Sequence, residues 1–97
     1  MVTASEENVV YVSKGCVGGW GPVNISVEDI GLYTASISIW INNDPNSLQQ
    51  LSIDEGQEII YNGYRINFLR VDVIEEPGLG SKEYAVFSFA YETETNQ

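Results

Sequence analysis

An Asn62-Gly63 pair lies between two segments whose side chains alternate with a period of two. Residues 57–61 precede the pair and residues 64–68 follow it. Asn-Gly is the preferred sequence for a two-residue type I′ turn, because both central residues need positive φ. The sequence therefore predicts a β-hairpin in which Tyr61 faces Tyr64, with one apolar, aromatic face and one mostly polar face.

The alternation changes phase beyond this hairpin. Leu69, Val71 and Val73 are in phase with one another, but they are out of phase with Ile66 and Phe68. An extra residue in one strand shifts the phase in this way, and so does a strand that crosses from one sheet to another. We therefore expect a β-bulge near Phe68 and Leu69, with a crossing strand as the alternative.

Period-two alternation recurs along the chain and helical periodicity is absent. Strands are predicted over residues 33–41 and 84–92, and shorter strands over residues 8–13, 23–28 and 48–53. About seven strands separated by turn residues predict an all-β fold, namely a small antiparallel β-sandwich of the immunoglobulin-like type. A small β-barrel is the alternative. The predicted core includes Ile37, Ile39, Ile66, Val71, Phe87 and Phe89.

The length of 97 residues predicts a single β domain over residues 1–97, in which residues 1–7 and 93–97 are loose polar tails. The apolar content of 43% is in the globular range. No apolar run resembles the core of a signal peptide, and none is long enough to cross a membrane. We expect a soluble protein, and the sequence leaves its cellular location open.

The chain contains no histidine and a single cysteine, Cys16. Histidine is the commonest general base near neutral pH and the usual partner of a cysteine nucleophile. We therefore predict no enzymatic activity, no catalytic residue, no cofactor and no metal site. The oxygen-rich run from Asn42 to Asn46 is typical of a turn, although loops of this composition also bind calcium, so that alternative stays open.

The formal net charge is −10, from fourteen acidic and four basic residues. Nucleic acids and anionic membranes are bound through clustered lysine and arginine, so the charge argues against both. An acidic surface instead accelerates association with a basic protein. We expect a non-enzymatic protein-binding domain that engages a basic partner, with an inhibitor or immunity-type protein as the more specific form of this hypothesis. The residues predicted to contact the partner are Trp20, Asp54, Glu55, Glu58, Glu75 and Glu76.

Aromatic side chains support a second hypothesis. Trp20 lies between glycines, in a segment expected to be a loop with little packing around it, while Trp40 lies on the polar face of its strand. Tyr61 and Tyr64 flank the hairpin tip. Exposed aromatic rings bind sugars as well as proteins, so Trp40, Tyr61 and Tyr64 form a candidate platform of a carbohydrate-binding module. A structural subunit of a larger assembly is a further alternative.

Overall fold

The computed structural model describes residues 8–91. The two predicted tails and the predicted strand end at Glu92 lie outside the described residues. Within residues 8–91 the chain forms eight strands. They are β1 (Val9–Ser13), β2 (Val17–Trp20), β3 (Val23–Ile30), β4 (Thr34–Ile41), β5 (Asp44–Asp54), β6 (Glu58–Tyr61), β7 (Tyr64–Glu76) and β8 (Gly80–Tyr91).

The strands form two four-stranded sheets. Sheet I has the order β1-β8-β7-β6 and sheet II the order β2-β3-β4-β5, and neighbouring strands are antiparallel. The prediction of a small all-β sandwich is confirmed, with eight strands where the sequence predicted about seven. Among residues 8–91, no helix has the length and apolar character required to cross a membrane.

The predicted hairpin turns at Asn62 and Gly63, whose φ angles are 49° and 85°. Tyr61 is opposite Tyr64, and β6 continues antiparallel to β7 as far as Glu58. The prediction is confirmed because a positive φ at both central positions is what this turn type requires.

The predicted β-bulge is also present. The register between β7 and β8 shifts between Phe68 and Arg70, so that Phe68 is opposite Phe87 while Arg70 is opposite Val86. Leu69, the extra residue, has an exposed side chain. The bulge returns Val71 to the core side of the sheet, where it packs on the edge of the core.

The core lies between the two sheets. Ile37, Ile39 and Ile66 are buried, as are Phe87 and Phe89, which confirms five of the six predicted core positions. Val71 is only partly buried. It lies beyond the last residue of β7 that pairs with β6, at the margin of the sandwich.

β2 was not predicted from the sequence, because Gly18 and Gly19 are residues that usually interrupt a strand. A Cβ atom on Gly18 would lie 2.7 Å from the Val12 side chain and 2.9 Å from that of Val10. β2 belongs to sheet II and β1 to sheet I, so glycine lets the two sheets approach closely here.

The sandwich has two distinct ends. At the first, the Glu55 amide donates a hydrogen bond to the Tyr33 carbonyl (2.8 Å), and the Val71 amide donates to the Glu55 carboxylate (3.1 Å). These bonds bring the β3–β4 turn, the β5–β6 turn and β7 together, and we call this the arm end. The opposite end carries the turns at residues 42–43 and 62–63.

Candidate functional site

The β7–β8 hairpin extends beyond its neighbours in sheet I. β6 pairs with β7 only as far as Asn67, and β1 pairs with β8 only as far as Tyr84. The pairing of β7 with β8 continues to Glu76 opposite Gly80. Residues 72–83 therefore form a two-stranded ribbon with no neighbouring strand among residues 8–91, and we call it the arm. An isolated two-stranded ribbon is marginally stable in water.

The arm exposes large apolar side chains. Val73 is 58% exposed and Leu79 is 79% exposed, and Ile74 is also largely open to solvent. The β3–β4 turn at the same end of the sandwich exposes Leu32 (82%) and Tyr33 (64%). Grouped exposed apolar side chains commonly mark a surface that contacts another protein. The arm and the β3–β4 turn therefore expose large apolar side chains at the same end of the sandwich.

The arm is also acidic. Its acidic residues are Asp72, Glu75, Glu76 and Glu83, and its only basic residue is Lys82. Glu75 and Glu76 are two of the residues predicted from the sequence to contact the partner. The structure places both in β7, at the far end of the arm.

Arg70 lies at the base of the arm and is already engaged by its neighbours. Its Nε donates to the Asp72 carboxylate at 2.9 Å, and its Nη2 donates to the Tyr11 hydroxyl at 3.1 Å. The hydrogen bond to Asp72 and the charge of that carboxylate raise the pKa of Arg70. The guanidinium pairs with Asp72, so the arm's carboxylates outside this pair are those of Glu75 and Glu76 near its tip and Glu83 near its base.

Two of the acids predicted to contact the partner, Glu55 and Glu75, lie near the two ends of the arm. Glu55 accepts the hydrogen bond from the Val71 amide on the side of β7 that faces β6. Glu75 lies four residues beyond Val71 on β7, so their Cα atoms are about 13 Å apart at the usual rise per residue. Glu55 therefore lies at the base of the arm and Glu75 near its tip, while Glu76, the next residue of β7, points to the opposite face of the strand.

The other two acids predicted to contact the partner, Asp54 and Glu58, lie near the base of the arm. Asp54 ends β5, and its carbonyl accepts a hydrogen bond from the Gln57 amide at 2.9 Å across the β5–β6 turn. Glu58 begins β6 and pairs with Arg65 at 3.1 Å. That ion pair holds Glu58 on the outer face of sheet I, where the hairpin prediction put it.

The expectation that Trp20 is a weakly packed loop residue is wrong. Trp20 is the last residue of β2 and is half-buried, with its ring stacked on Phe89 (centroids 6.0 Å apart) and edge-on to Tyr64 (6.0 Å). Tyr64 begins β7 and Glu76 ends it, so these two positions are about 40 Å apart along an extended strand. Trp20 and the arm therefore do not share one contact surface.

The predicted aromatic platform is not present as one surface. Tyr61 is only 3% exposed, so its placement as an exposed platform residue is wrong. Its ring belongs to the core and its hydroxyl donates to the Ser47 carbonyl at 2.6 Å. Tyr64 is half-buried between Trp20 and Tyr91.

Trp40 lies elsewhere, on the outer face of sheet II. It borders an open recess of about 500 Å³. The recess is lined by Trp40, Ile41, Asn43, Asp44, Pro45 and Leu48. Beyond it, the same face carries uncharged polar side chains from all three of its longer strands. These are Asn24, Ser26, Ser36, Ser38, Gln50 and Ser52.

The asparagine-rich run forms a tight hairpin turn. Residues 42–43 are the turn, Asn43 has a φ of 62°, and β5 begins at Asp44. The Asp44 carboxylate accepts a hydrogen bond from the Asn46 amide at 3.2 Å. Among residues 8–91, no group of three or more cysteine, aspartate or glutamate side chains is arranged to hold a metal ion.

Fold and surface together define a small acidic β-sandwich with a projecting apolar and acidic arm. Comparisons with protein-family models, curated proteins and solved structures found no match for this chain. The sequence analysis identified the acids of the arm but not the arm itself. The alternation of apolar and polar side chains stops at Val73, and residues 80–83 are glycine or polar, so the sequence pattern carries no clear signal for the length of this hairpin.

Proposed function

We propose that this protein is a non-enzymatic protein-binding domain that uses its arm end to contact a basic partner. The observation that carries the proposal is the projection of residues 72–83 beyond the sandwich with Val73 and Leu79 exposed among acidic side chains. An inhibitor or immunity-type role is the more specific form of this proposal.

Apolar and acidic groups have separate roles in such a contact. The carboxylates of Glu75 and Glu76 attract a basic surface over a Debye length of about 10 Å at 0.1 M salt, which raises the association rate. Val73 and Leu79 lose contact with water when the partner covers them, which slows dissociation. Trp20, which packs on the opposite end, is not required for this contact.

The test is affinity capture with the wild-type protein, followed by surface-plasmon kinetics with the captured partner across a salt series. We expect Glu75→Gln with Glu76→Gln to slow association and to weaken its salt dependence. The matched control is Glu28→Gln with Asp44→Asn, which removes the same charge from sheet II. Equal effects of the two double variants would contradict a specific role of the arm.

A carbohydrate-binding module is the second candidate function, and the Trp40 recess favours it. A half-buried indole next to serine, asparagine and glutamine side chains offers stacking and hydrogen bonds to a neutral sugar. Titration with soluble oligosaccharides should then change the tryptophan fluorescence of the wild type and of Trp20→Phe, but not that of Trp40→Phe. Binding of this kind should not respond to salt.

The structural-subunit alternative has its own readout. Sedimentation of the purified protein across a concentration series detects self-association. If the protein assembles and Leu79→Lys prevents it, the arm is a contact between copies and the inhibitor proposal fails.

A further inference from the structure

The direction of the backbone groups in the arm determines which of them are free. The Phe68 amide donates to the Gln57 carbonyl (3.0 Å), and the Phe68 carbonyl accepts from the Gly56 amide (2.7 Å), so Phe68 points its backbone groups away from β8. Beyond the bulge the Val71 amide also points away, toward Glu55.

The pattern continues with a period of two along β7. Because alternate residues of an antiparallel strand bond to the same neighbour, Val73 and Glu75 direct their N–H and C=O groups away from β8. Asp72, Ile74 and Glu76 bond toward β8, in agreement with the Leu79 amide donating to the Glu76 carbonyl at 2.9 Å. Within residues 8–91, no strand pairs with the outward groups of Val73 and Glu75.

We propose that a basic extended segment of a partner protein adds as a strand to this free edge of β7, pairing with the outward backbone groups of Val73 and Glu75. This inference rests on the proposed function and specifies how the partner is bound. Strand addition satisfies the free backbone groups directly, and side chains on alternate positions provide the specificity.

Charge favours a basic occupant over a second copy of this chain. Glu55 lies at one end of the free edge and Glu75 and Glu76 at the other, so lysine or arginine side chains of an added strand face carboxylates. A second copy would bring another acidic arm against this one, whereas a basic segment brings opposite charge.

Glu55 has a particular place in this arrangement. Its carboxylate accepts the Val71 N–H at 3.1 Å, the position that a carbonyl of an additional strand would occupy. It therefore caps the first outward donor of the edge and leaves Val73 and Glu75 as the donors for the partner. The added strand therefore begins next to Glu55, where the β5–β6 turn ends.

The decisive variant is Val73→Pro, because proline removes the outward N–H of residue 73 without removing a bond to β8. Val73→Ala is its control, since alanine keeps the donor and removes most of the side chain. The probe is a ten-residue peptide of alternating lysine and valine with blocked ends, titrated by NMR. Folding of both variants is checked by the amide spectrum of sheet II.

We expect the peptide to slow amide exchange of Val73 and Glu75 about tenfold or more, while the exchange of Asp72 and Ile74 changes little. Val73→Pro should weaken peptide binding about tenfold relative to Val73→Ala, a factor equivalent to about 1.4 kcal/mol. Self-association of the wild type through the arm would also overturn the assignment of the occupant.

The proposal is overturned if the Val73 and Glu75 amides exchange equally fast with saturating peptide, if Val73→Pro binds as well as Val73→Ala, or if millimolar peptide does not bind. The proposed function is judged separately, by the effect of Glu75→Gln with Glu76→Gln on the captured partner. A partner that depends on those carboxylates but not on the Val73 amide leaves the protein-binding function standing without strand addition.

Discussion

The Tyr61 hydroxyl donates a hydrogen bond of 2.6 Å to the Ser47 carbonyl and thereby joins β6 of sheet I to β5 of sheet II. Ser47 also donates its own hydroxyl to the Asp44 carbonyl (2.6 Å) and accepts from the Ile41 amide (2.7 Å). This hydrogen-bond chain fixes the β4–β5 turn against the core and explains why Tyr61 is buried at a hairpin tip.

Removing the Tyr61 hydroxyl should destabilise the fold. Tyr61→Phe keeps the buried ring but leaves the Ser47 carbonyl without this donor, so we expect the free energy of unfolding to fall by about 1–2 kcal/mol. Urea denaturation followed by fluorescence measures the change. Tyr33→Phe, whose ring is exposed, is the control and should change stability by less than about 0.5 kcal/mol.

The hairpin turn gives a second prediction. Asn62 and Gly63 both have positive φ, which β-branched residues adopt only with strain. Replacing both with valine should lower the free energy of unfolding by about 1–3 kcal/mol. The same denaturation experiment checks it, and an unchanged midpoint would mean that the turn tolerates another conformation.

Phe87 tests the core. Its side chain is fully buried and its ring stacks on Phe68 with centroids 5.2 Å apart. Phe87→Ala should cost about 3–5 kcal/mol, from lost burial and the cavity left behind. The exposed Ile60, changed to alanine, is the control. If calorimetry found similar losses for both variants, the facing of β8 would be wrong.

The local features of the fold were predictable and the non-local ones were not. The turn at Asn62 and the bulge after Phe68 follow from alternation within one short segment, which the sequence displays directly. The arm depends on where β1 and β6 stop pairing, and those end points are set by strands distant in the sequence. Sequence patterns locate strands but do not give the lengths of their neighbours.

The two aromatic errors have a similar cause. Gly18 and Gly19 look like a loop, but Gly18 is required where β2 crosses close to Val10 and Val12. Gly18 therefore marks the close approach of β2 to β1, and the burial of Trp20 comes from its contacts with Phe89 and Tyr64. For Tyr61, position beside a turn suggested exposure, whereas the edge of sheet II covers the ring. In both cases the opposite sheet decides the burial.

Cys16 gives a prediction about chemistry. Its thiol is exposed in the connection between β1 and β2 and accepts a hydrogen bond from the Ser13 hydroxyl at 3.1 Å. We predict that Cys16→Ser leaves stability within about 0.5 kcal/mol of the wild type and leaves partner binding unchanged. Denaturation and the partner-binding assay check the two parts, and a loss of binding would assign Cys16 to the contact surface.

The expected effect of replacing Trp20 differs most between the sequence and the structure. An exposed Trp20 would affect mainly the lifetime of a complex, whereas a Trp20 stacked on Phe89 and packed against the core should affect folding. Trp20→Ala should therefore lower the free energy of unfolding by about 2–4 kcal/mol. Trp40→Ala, on the outer face of sheet II, is the matched control and should cost less. If Trp20→Ala left stability unchanged but shortened the lifetime of the partner complex, the ring would belong to the contact surface and the arm end would not act alone.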